Sequence, residues 1–309
     1  MRVAAIDCGT NSIRLLIADV VDNKIIDVVR TMIIVRLGEG VDQTREFSHA
    51  ALTRTFAAVD VYAALIAEHK PEVVRFVATS ASRDVSNRAE FFAGVKERLG
   101  IEPTVISGDE EARLSFLGAT AGLAELPDAP AAPYLVIDIG GGSTEFVVGS
   151  FAPTAAISTD VGCVRMTERH FHDDPPTAQQ ISDATQDVDA AIATAASVVP
   201  LENVHSLIGL AGSVTTIAAL ALNLQSYDPT KIHGSRISAE KVHEIAQELL
   251  SMTRAQRAGL GPMHEGRVDV IGGGALVLDR IMQVTGLSQV VVSEHDILDG
   301  IAFDLVQAN

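Results

Sequence analysis

Apolar positions in the first part of the chain form short runs that alternate with stretches of helical spacing. Residues 1–35 hold strand-like apolar runs with a turn near Asp22 and Asn23, which predicts three consecutive strands. Over 49–70 the apolar side chains recur at helical spacing, and Pro71 is expected to end that helix. In chain order the pattern then predicts a strand over 73–79, a helix over 87–99, a strand over 103–106 and a helix from Asp109.

The second part of the chain repeats this order of elements. Apolar runs over about 134–160 predict strands, and Thr177 with Gln180 forms the capping box of the next helix. The remaining predicted elements are a strand over 204–210, a helix from Gly212, a helix over 238–252, a strand over 290–292 and a terminal helix over 296–307. A Pro/Ala loop over 128–133 marks the expected boundary, so we predict one mixed-sheet α/β domain over 1–125 and a second over 126–309.

One loop pattern occurs in both halves and carries the strongest functional signal. An apolar strand ends in Asp7 and leads through Gly9 to hydroxyl and amide side chains, and Asp138 begins the same series in the second half. Such a hairpin directs backbone N–H groups and hydroxyls at an anion, and its Asp can hold a hard cation. Either copy alone is also compatible with an ordinary hairpin turn, since Gly adopts positive φ at little cost. Two copies with matched flanks favour a cleft that grips a polyphosphate and its metal from both sides.

Composition and charge exclude several other classes of protein. At 309 residues with 47% apolar content, the chain can bury a sizeable core, and no segment has the ~18 uninterrupted apolar residues of a membrane span. The N-terminus has no signal-peptide pattern, and Cys8 and Cys163 are expected to be reduced packing residues of a cytoplasmic protein. The net charge of −17 argues against binding to nucleic acid or to an anionic membrane. A polyanion substrate then requires that the few basic residues cluster at the site.

Two further segments suit a phosphate site, and each has a structural alternative. Residues 107–113 place Glu110 and Glu111 at a helix start, where acidic side chains also stabilise the helix dipole. Residues 79–83 put hydroxyls and Arg83 just after a strand, which suits either a phosphate or a surface ion pair.

Small residues dominate two other segments. Residues 209–216 lead into a helix N-terminus, which is a natural anion site, although Gly-Ser there is also compatible with tight strand–helix packing. Residues 267–269 with Gly272–Gly274 either line the same cleft or pack closely against the preceding loop, and the glycine run is expected to weaken helix locally.

Together these motifs resemble the exopolyphosphatase / guanosine pentaphosphate phosphatase (Ppx/GppA) family. The residues that carry the resemblance are Asp7, Gly9, Asn11, Ser12, Arg14, Thr79, Arg83, Ser107, Gly108, Glu110, Glu111, Ala112, Asp138, Gly140, Gly141, Gly142, Ser143, Thr144, Glu145, Gly209, Ala211, Gly212 and Ser213. The resemblance runs from Val3 to about Ile301. It implies two ribonuclease-H-like domains of the actin, sugar kinase and heat-shock ATPase superfamily with an interdomain cleft. The terminal helix, about 296–309, would pack back on the first domain.

The same resemblance implies that water hydrolyses a terminal phosphoryl group, a reaction that depends mostly on positioning and charge neutralisation. Glu111 would orient and deprotonate the water, and its family position favours it over Glu110. Asp138, Glu145 and Asp7 would hold Mg²⁺, with Mn²⁺ as the alternative. The implied phosphate-binding residues are Gly9, Thr10, Asn11, Ser12, Arg14, Arg83, Gly140, Gly141, Gly142, Ser143, Thr144, Gly212 and Ser213.

Two departures from the family pattern bear on the substrate. The chain lacks the C-terminal helical domains with which longer members hold long polyphosphate, so we expect a preference for short chains. In the closing motif over 293–300, Leu298 stands where the family usually has an Arg, which leaves open what the contacts of that Arg become here.

Three functions remain open at this point. Exopolyphosphatase is the first, and removal of the 5′ terminal phosphate of guanosine pentaphosphate is the second. The absence of Trp and an aromatic content of 4% leave no obvious platform for stacking a base, which favours inorganic polyphosphate. A ligand sensor without turnover is the third, and the intact Glu111, Asp138 and Glu145 argue against it. From the family we expect a cytoplasmic homodimer with no nucleic-acid or membrane partner.

Overall fold

The computed structural model describes residues 1–22 and 24–307, which form two compact units. Unit 1 comprises Met1–Gly118 and the C-terminal segment from Asp296, and unit 2 comprises Ala119–His295. The sequence-based boundary at 125/126 lies inside unit 2, and the division into domains at that point stays a prediction.

The strands and helices are named here in chain order. The strands are β1 (Arg2–Cys8), β2 (Ser12–Val21), β3 (Lys24–Ile34), β4 (Val73–Ala78), β5 (Thr104–Val105), β6 (Tyr134–Ile139), β7 (Thr144–Gly149), β8 (Pro153–Thr159), β9 (Ser206–Leu210), β10 (Arg236–Ser238) and β11 (Gln289–Val292). The helices of eight residues or more are α1 (His49–His69), α2 (Arg88–Leu99), α3 (Gly108–Thr120), α4 (Cys163–His170), α5 (Ala178–Ala196), α6 (Ala211–Ala221), α7 (Ala239–Ser251), α8 (Ile271–Thr285) and α9 (Ile297–Gln307). Shorter helical turns are Val41–Thr44, Ser80–Arg83, Leu123–Glu125, Leu201–Asn203, Pro229–Ile232, Arg254–Ala258 and Glu265–Arg267.

The two sheets share one topology. In unit 1 the strand order is β3-β2-β1-β4-β5, with β1, β2 and β3 antiparallel and β1, β4 and β5 parallel. In unit 2 the strands β8-β7-β6-β9-β11 have the same order and the same relative directions as the five strands of unit 1. Strand β10 adds an antiparallel edge strand to this sheet. The predicted fold class, two ribonuclease-H-like α/β domains, is therefore confirmed.

Both faces of the central strands β1 and β2 of unit 1 are buried, which explains why these strands are almost continuously apolar. Ile13 and Leu15 of β2 belong to the cluster that packs under α1 and α2, whereas Leu16 on the opposite face packs with Leu298 and Ile301 of α9. Residues adjacent along a strand point to opposite faces, so each face requires its own apolar set. Because both faces are covered, these strands contain uninterrupted runs of apolar residues and not an alternation of apolar and polar residues.

Helix α1 is long and apolar enough to cross a membrane, judged by its length and composition alone. Its buried residues, which include Leu52, Val59 and Tyr62, belong to the unit 1 core. The Tyr62 hydroxyl also donates a hydrogen bond of 2.8 Å to the Ile13 carbonyl of β2. A core helix of a folded unit accounts for the composition of α1.

Helix α8 begins at Ile271, so Gly272–Gly274 stand in its first turn, and the expectation that they weaken the helix locally stays a prediction. A Cβ on Gly274 would lie 2.1 Å from Ser213 Oγ, and one on Gly273 would lie 2.7 Å from the Cys163 carbonyl oxygen. The glycines let α8 approach the starts of α4 and α6. The structure therefore supports the interpretation that the glycine run serves close packing of α8 against α4 and α6.

Candidate active site

The two phosphate loops adopt the same turn. The N–H of Gly9 donates to the Ser12 carbonyl at 3.0 Å, and the N–H of Gly140 donates to the Ser143 carbonyl at 3.0 Å. Each turn joins the central first strand of its unit, β1 or β6, to the antiparallel neighbour, β2 or β7. The repeat predicted from the sequence is therefore present in the backbone geometry.

Buried polar atoms that lack hydrogen-bond partners surround the unit 1 loop. Within the described part of the chain they include Asp7 Oδ1, Thr10 Oγ1, Asn11 Oδ1, Ser80 Oγ and Ser82 Oγ. The loop and the segment 79–83 are neighbours, since the N–H of Thr79 donates to the Cys8 carbonyl at 3.2 Å. Buried polar groups in proteins are nearly always hydrogen-bonded, so this group of atoms is suited to a polar ligand.

Arg14 lies between two carboxylates of unit 1. Its Nε and Nη2 donate to Asp7 Oδ2 at 2.9 and 2.5 Å, and its Nη1 donates to Asp296 Oδ2. Burial raises the pKa of Asp7 above its ordinary value; Arg14 opposes that rise, and the charge of Asp296 adds to it. In this structure Arg14 thus faces carboxylates, and its contact with phosphate stays a prediction.

Glu111 lies in the first turn of α3 and is 8% exposed. Arg83 Nη1 donates to Glu111 Oε2 at 2.7 Å and to the Ile106 carbonyl at 3.1 Å, so Arg83 connects Glu111 to the segment 79–83. Glu110 instead pairs with Arg75 at 2.5 Å and keeps 35% of its side chain exposed. The geometry favours Glu111 over Glu110 as a residue of the site.

Two carboxylates stand side by side in unit 2. Asp138 on β6 is the direct cross-strand partner of Glu145 on β7, and Glu145 is the partner of Ser158 on β8. Asp138 is 7% exposed and Glu145 is 1% exposed, and Ser158 Oγ donates to Glu145 Oε1 at 2.7 Å. Like charges directly opposite each other in a sheet are destabilising, so this buried pair is suited to a cation.

The same positions in unit 1 hold opposite charges. Asp7 pairs across the strands with Arg14 as Asp138 pairs with Glu145, and the guanidinium balances its carboxylate. The structure therefore brings Asp138 and Glu145 together and places Asp7, the third predicted metal ligand, beside an arginine. No group of three or more His, Cys, Asp or Glu able to hold a metal occurs within residues 1–22 and 24–307. A cation on two carboxylates would complete its shell with water and substrate oxygens, as Mg²⁺ usually does.

The start of α4 holds the second loop through backbone hydrogen bonds. The carbonyls of Gly140 and Gly141 accept hydrogen bonds from the N–H groups of Cys163 and Val164, at 3.0 and 2.9 Å. Thr144 is fully buried, and its hydroxyl donates to the Val161 carbonyl at 2.6 Å. The hydroxyl thus holds the loop in place, and the contact of Thr144 with phosphate stays a prediction.

The start of α6 lies next to the carboxylate pair. Asp138 is in register with Leu210, the last residue of β9, and α6 follows directly with Ala211 in the left-handed region at φ 67°. Arg267 Nη1 donates to the Gly212 carbonyl at 2.7 Å, and a Cβ on Gly212 would lie 2.3 Å from the guanidinium. Gly at 212 lets the Arg267 guanidinium lie against the backbone, and the segment combines helix N–H groups with a nearby positive charge, as an anion site does.

Sequence reasoning missed two side chains that contact the predicted site residues. Ser158 has no local signal, because its contact with Glu145 depends on the register of β7 and β8. Asp296 does have a local signal, since an Asp before an apolar helix is a common N-cap, but its contact with Arg14 comes from the tertiary structure.

Leu298 of the closing motif is 2% exposed and belongs to the unit 1 core. Arg30 of β3 provides a guanidinium at the neighbouring Asp299, with its closest contact at 2.6 Å.

Comparisons with known proteins identify the family of the chain. A sequence model of the Ppx/GppA phosphatase family matches residues 16–309. The chain is 50% identical to Exopolyphosphatase 2 of Mycobacterium tuberculosis over 317 aligned positions, which cover 98% of each protein. It is 45% identical to an exopolyphosphatase-like protein of known crystal structure, with a TM-score of 0.95 over 98% of this chain and 97% of that one. The crystal structure of the Aquifex aeolicus Ppx/GppA family member is 29% identical, with a TM-score of 0.83 over 100% and 99% of the two chains. The chain belongs to the Ppx/GppA phosphatase family.

Proposed function

We propose that this protein is an exopolyphosphatase that hydrolyses the terminal phosphate of inorganic polyphosphate by metal-assisted attack of water. The observation that carries the proposal is the buried pair of Asp138 and Glu145 beside a glycine loop and a helix start. Two adjacent carboxylates are suited to a cation, whereas loop N–H groups and a helix N-terminus are suited to an anion. A metal-bound phosphoanhydride satisfies both requirements. The chain is 50% identical to a mycobacterial exopolyphosphatase, which supports the same substrate class.

The donor set fits a hard divalent cation. Oxygen ligands from two carboxylates suit Mg²⁺, and Mn²⁺ accepts the same donors. When bound, the metal supplies positive charge that offsets the charge on the phosphate oxygens. Asp138 and Glu145 would hold it, and Ser158 would keep the Glu145 carboxylate oriented. We assign Asp7 a smaller part in metal binding, through its buried Oδ1, because Arg14 already balances the charge at Oδ2.

Glu111 is the proposed general base. Its Oε2 accepts from Arg83, which fixes the carboxylate, and the side chain is buried. Glu111 would orient the attacking water and accept its proton, a contribution typically worth ~10²–10⁴ in rate. Phosphate oxygens would be bound by the N–H groups and hydroxyls of the two loops, by Arg14 and Arg83, and by the start of α6 at Gly212 and Ser213.

Substrate preference is proposed from charge and composition. With a net charge of −17, each phosphate beyond the site meets like charge, which favours short chains over long ones. Guanosine pentaphosphate is the second candidate, because the family name covers both activities, but the chain has no Trp and few aromatics to hold a base. We also propose that the protein is a cytoplasmic homodimer that binds neither nucleic acid nor membrane.

Phosphate release on four substrates tests the proposal directly. Wild type and Asp138→Asn would be compared on short polyphosphate, long polyphosphate, guanosine pentaphosphate and ATP across a Mg²⁺ titration. We expect the highest kcat/KM on short polyphosphate, and for Asp138→Asn a lower rate with the metal titration shifted to higher concentration. Preference for guanosine pentaphosphate would establish the second candidate, and binding without phosphate release would establish a sensor. An unchanged metal titration in Asp138→Asn would move the metal away from unit 2.

A further inference from the structure

We infer that Asp296 determines substrate affinity, because its carboxylate competes with substrate phosphate for the guanidinium of Arg14. The inference rests on the proposed function, in which Arg14 is a phosphate ligand of the unit 1 loop. It assigns a specificity role to a side chain that sequence reasoning left out of the site. The evidence lies in how Asp296 is held, in the charges around Arg14 and in what a substitution would release.

Asp296 is held firmly in place by its own helix. Its Oδ1 accepts from the N–H of Leu298 at 2.9 Å, which makes it the cap of α9, and its N–H donates to Asp299 Oδ2 at 2.9 Å. The backbone is also tightly packed, since a Cβ on Gly118 would lie 1.8 Å from the Asp296 carbonyl oxygen. The second oxygen, Oδ2, is therefore directed at Arg14 by the fold and not by a flexible side chain.

The two carboxylates that contact Arg14 do not favour an anion at its guanidinium. One guanidinium faces the carboxylates of Asp7 and Asp296, so the three side chains together carry one negative charge when ionised. Their exposed side-chain fractions are 19% for Arg14, 5% for Asp7 and 12% for Asp296, so solvent screens the group poorly. A phosphate that approaches Arg14 Nη1 meets the Asp296 carboxylate as a competitor for the same donor.

Arg14 would keep its position if Asp296 lost its charge. Its Nε and Nη2 both donate to Asp7 Oδ2, so this pair anchors the guanidinium independently of Nη1. In Asp296→Asn the amide oxygen can still cap α9 through Leu298, which leaves the NH₂ group facing Arg14. Two donors cannot hydrogen-bond to each other, so the side chain at 296 no longer competes with phosphate for Nη1 while the helix cap is retained.

The alternative is that Asp296 serves only as a helix cap. Asn and Ser are both good N-caps without a charge, so a role limited to capping predicts no change in anion binding for either residue. The competition proposed here predicts tighter binding for both. Asp19→Asn is a matched control, because Asp19 is also paired with an arginine of the same sheet, Arg2, at 2.8 Å.

Binding of tripolyphosphate to the full chain, measured by calorimetry in EDTA, tests this without metal or turnover. Asp296→Asn and Asp296→Ser should each bind about threefold or more tightly than wild type, and the gain should shrink as salt is raised. With Mg²⁺, KM for short polyphosphate should fall by a similar factor while kcat changes little. Asp19→Asn should match wild type in both measurements.

Two results would separate the possible failures. If both Asp296 variants bind tripolyphosphate no more tightly than wild type while Arg14→Ala binds it more weakly, Arg14 is a phosphate ligand and the competition is refuted. If Arg14→Ala binds as tightly as wild type, the assignment of Arg14 in the proposed function fails instead. Thermal unfolding of each variant establishes that the comparison is made between folded proteins, and Asp296→Ser decides the matter should Asp296→Asn be unstable.

Discussion

Removal of the Ser158 hydroxyl should weaken metal binding without unfolding the protein. Ser158 Oγ donates to Glu145 Oε1 at 2.7 Å, and Glu145 is buried next to Asp138 in the proposed metal site. In Ser158→Ala the Glu145 carboxylate loses this hydrogen bond and part of its fixed orientation. Metal affinity should fall because the ligand must then be ordered when the metal binds.

The size of the effect follows from the geometry. A hydrogen bond to a charged group is worth about 1.5–3 kcal/mol, and each 1.4 kcal/mol changes an equilibrium constant about tenfold. If the whole of that bond supported the metal-bound state, affinity would fall by roughly 10- to 150-fold. Outer partners of metal ligands typically account for 10- to 100-fold in affinity, so we expect the loss to lie in that range.

Calorimetric titration with Mn²⁺ and the Mg²⁺ dependence of phosphate release would measure the loss. Thr154→Val is the matched control, because Thr154 lies on the same strand and donates its hydroxyl to the Val148 carbonyl at 3.0 Å, away from the carboxylates. It should leave both metal measurements unchanged. A metal affinity for Ser158→Ala within about threefold of wild type, in a folded protein, would refute this account of how Glu145 is positioned.

Three further predictions concern catalysis and stability. Glu111→Gln should lower kcat by ~10²–10⁴ and leave polyphosphate binding nearly unchanged, and a rate within about threefold of wild type would remove Glu111 from the base role. Gly274→Ala should destabilise the protein by about 1–3 kcal/mol in urea unfolding, because the new Cβ would lie 2.1 Å from Ser213 Oγ. Gly259→Ala, whose Cβ would approach no atom closer than 3.4 Å, should cost clearly less, and equal losses would contradict the packing argument. Burial, helped by the charge of Arg267, lowers the pKa of His264, whose Nδ1 accepts from the N–H of Gly266 at 3.1 Å. The stability that this neutral side chain provides is complete above its unfolded pKa of about 6.5 and should be lost as the pH falls below it. His264→Asn, which keeps an acceptor at the cap, should flatten that part of the pH dependence in unfolding measurements, and an unaltered pH dependence would exclude the role.

Local patterns along the chain account for much of the fold. The three strands over 1–35 and the helix over 49–70 were predicted from side-chain periodicity, which is a property of neighbouring residues and needs no knowledge of the rest of the molecule. The capping box of Thr177 and Gln180 is likewise local, and both of its hydrogen bonds are present. The repeated Asp-x-Gly loops were recognised because a tight turn requires particular residues at particular spacings.

What surrounds the site residues was decided by the tertiary structure. The sequence alone determined that Asp7 and Asp138 end equivalent strands and that Arg14 and Glu145 follow them at the same spacing, and the register of the two hairpins then placed Arg14 opposite Asp7 and Glu145 opposite Asp138. Gly272–Gly274 have the lowest helix propensity short of proline, yet they form the first turn of α8, where the absence of Cβ atoms permits the close approach of α4 and α6. Asp296 meets Arg14 although the two are far apart along the chain, since α9 packs back on β1 and β2. Contacts of this kind depend on how separate elements pack, and a periodicity measured within one element contains no record of its neighbours in space.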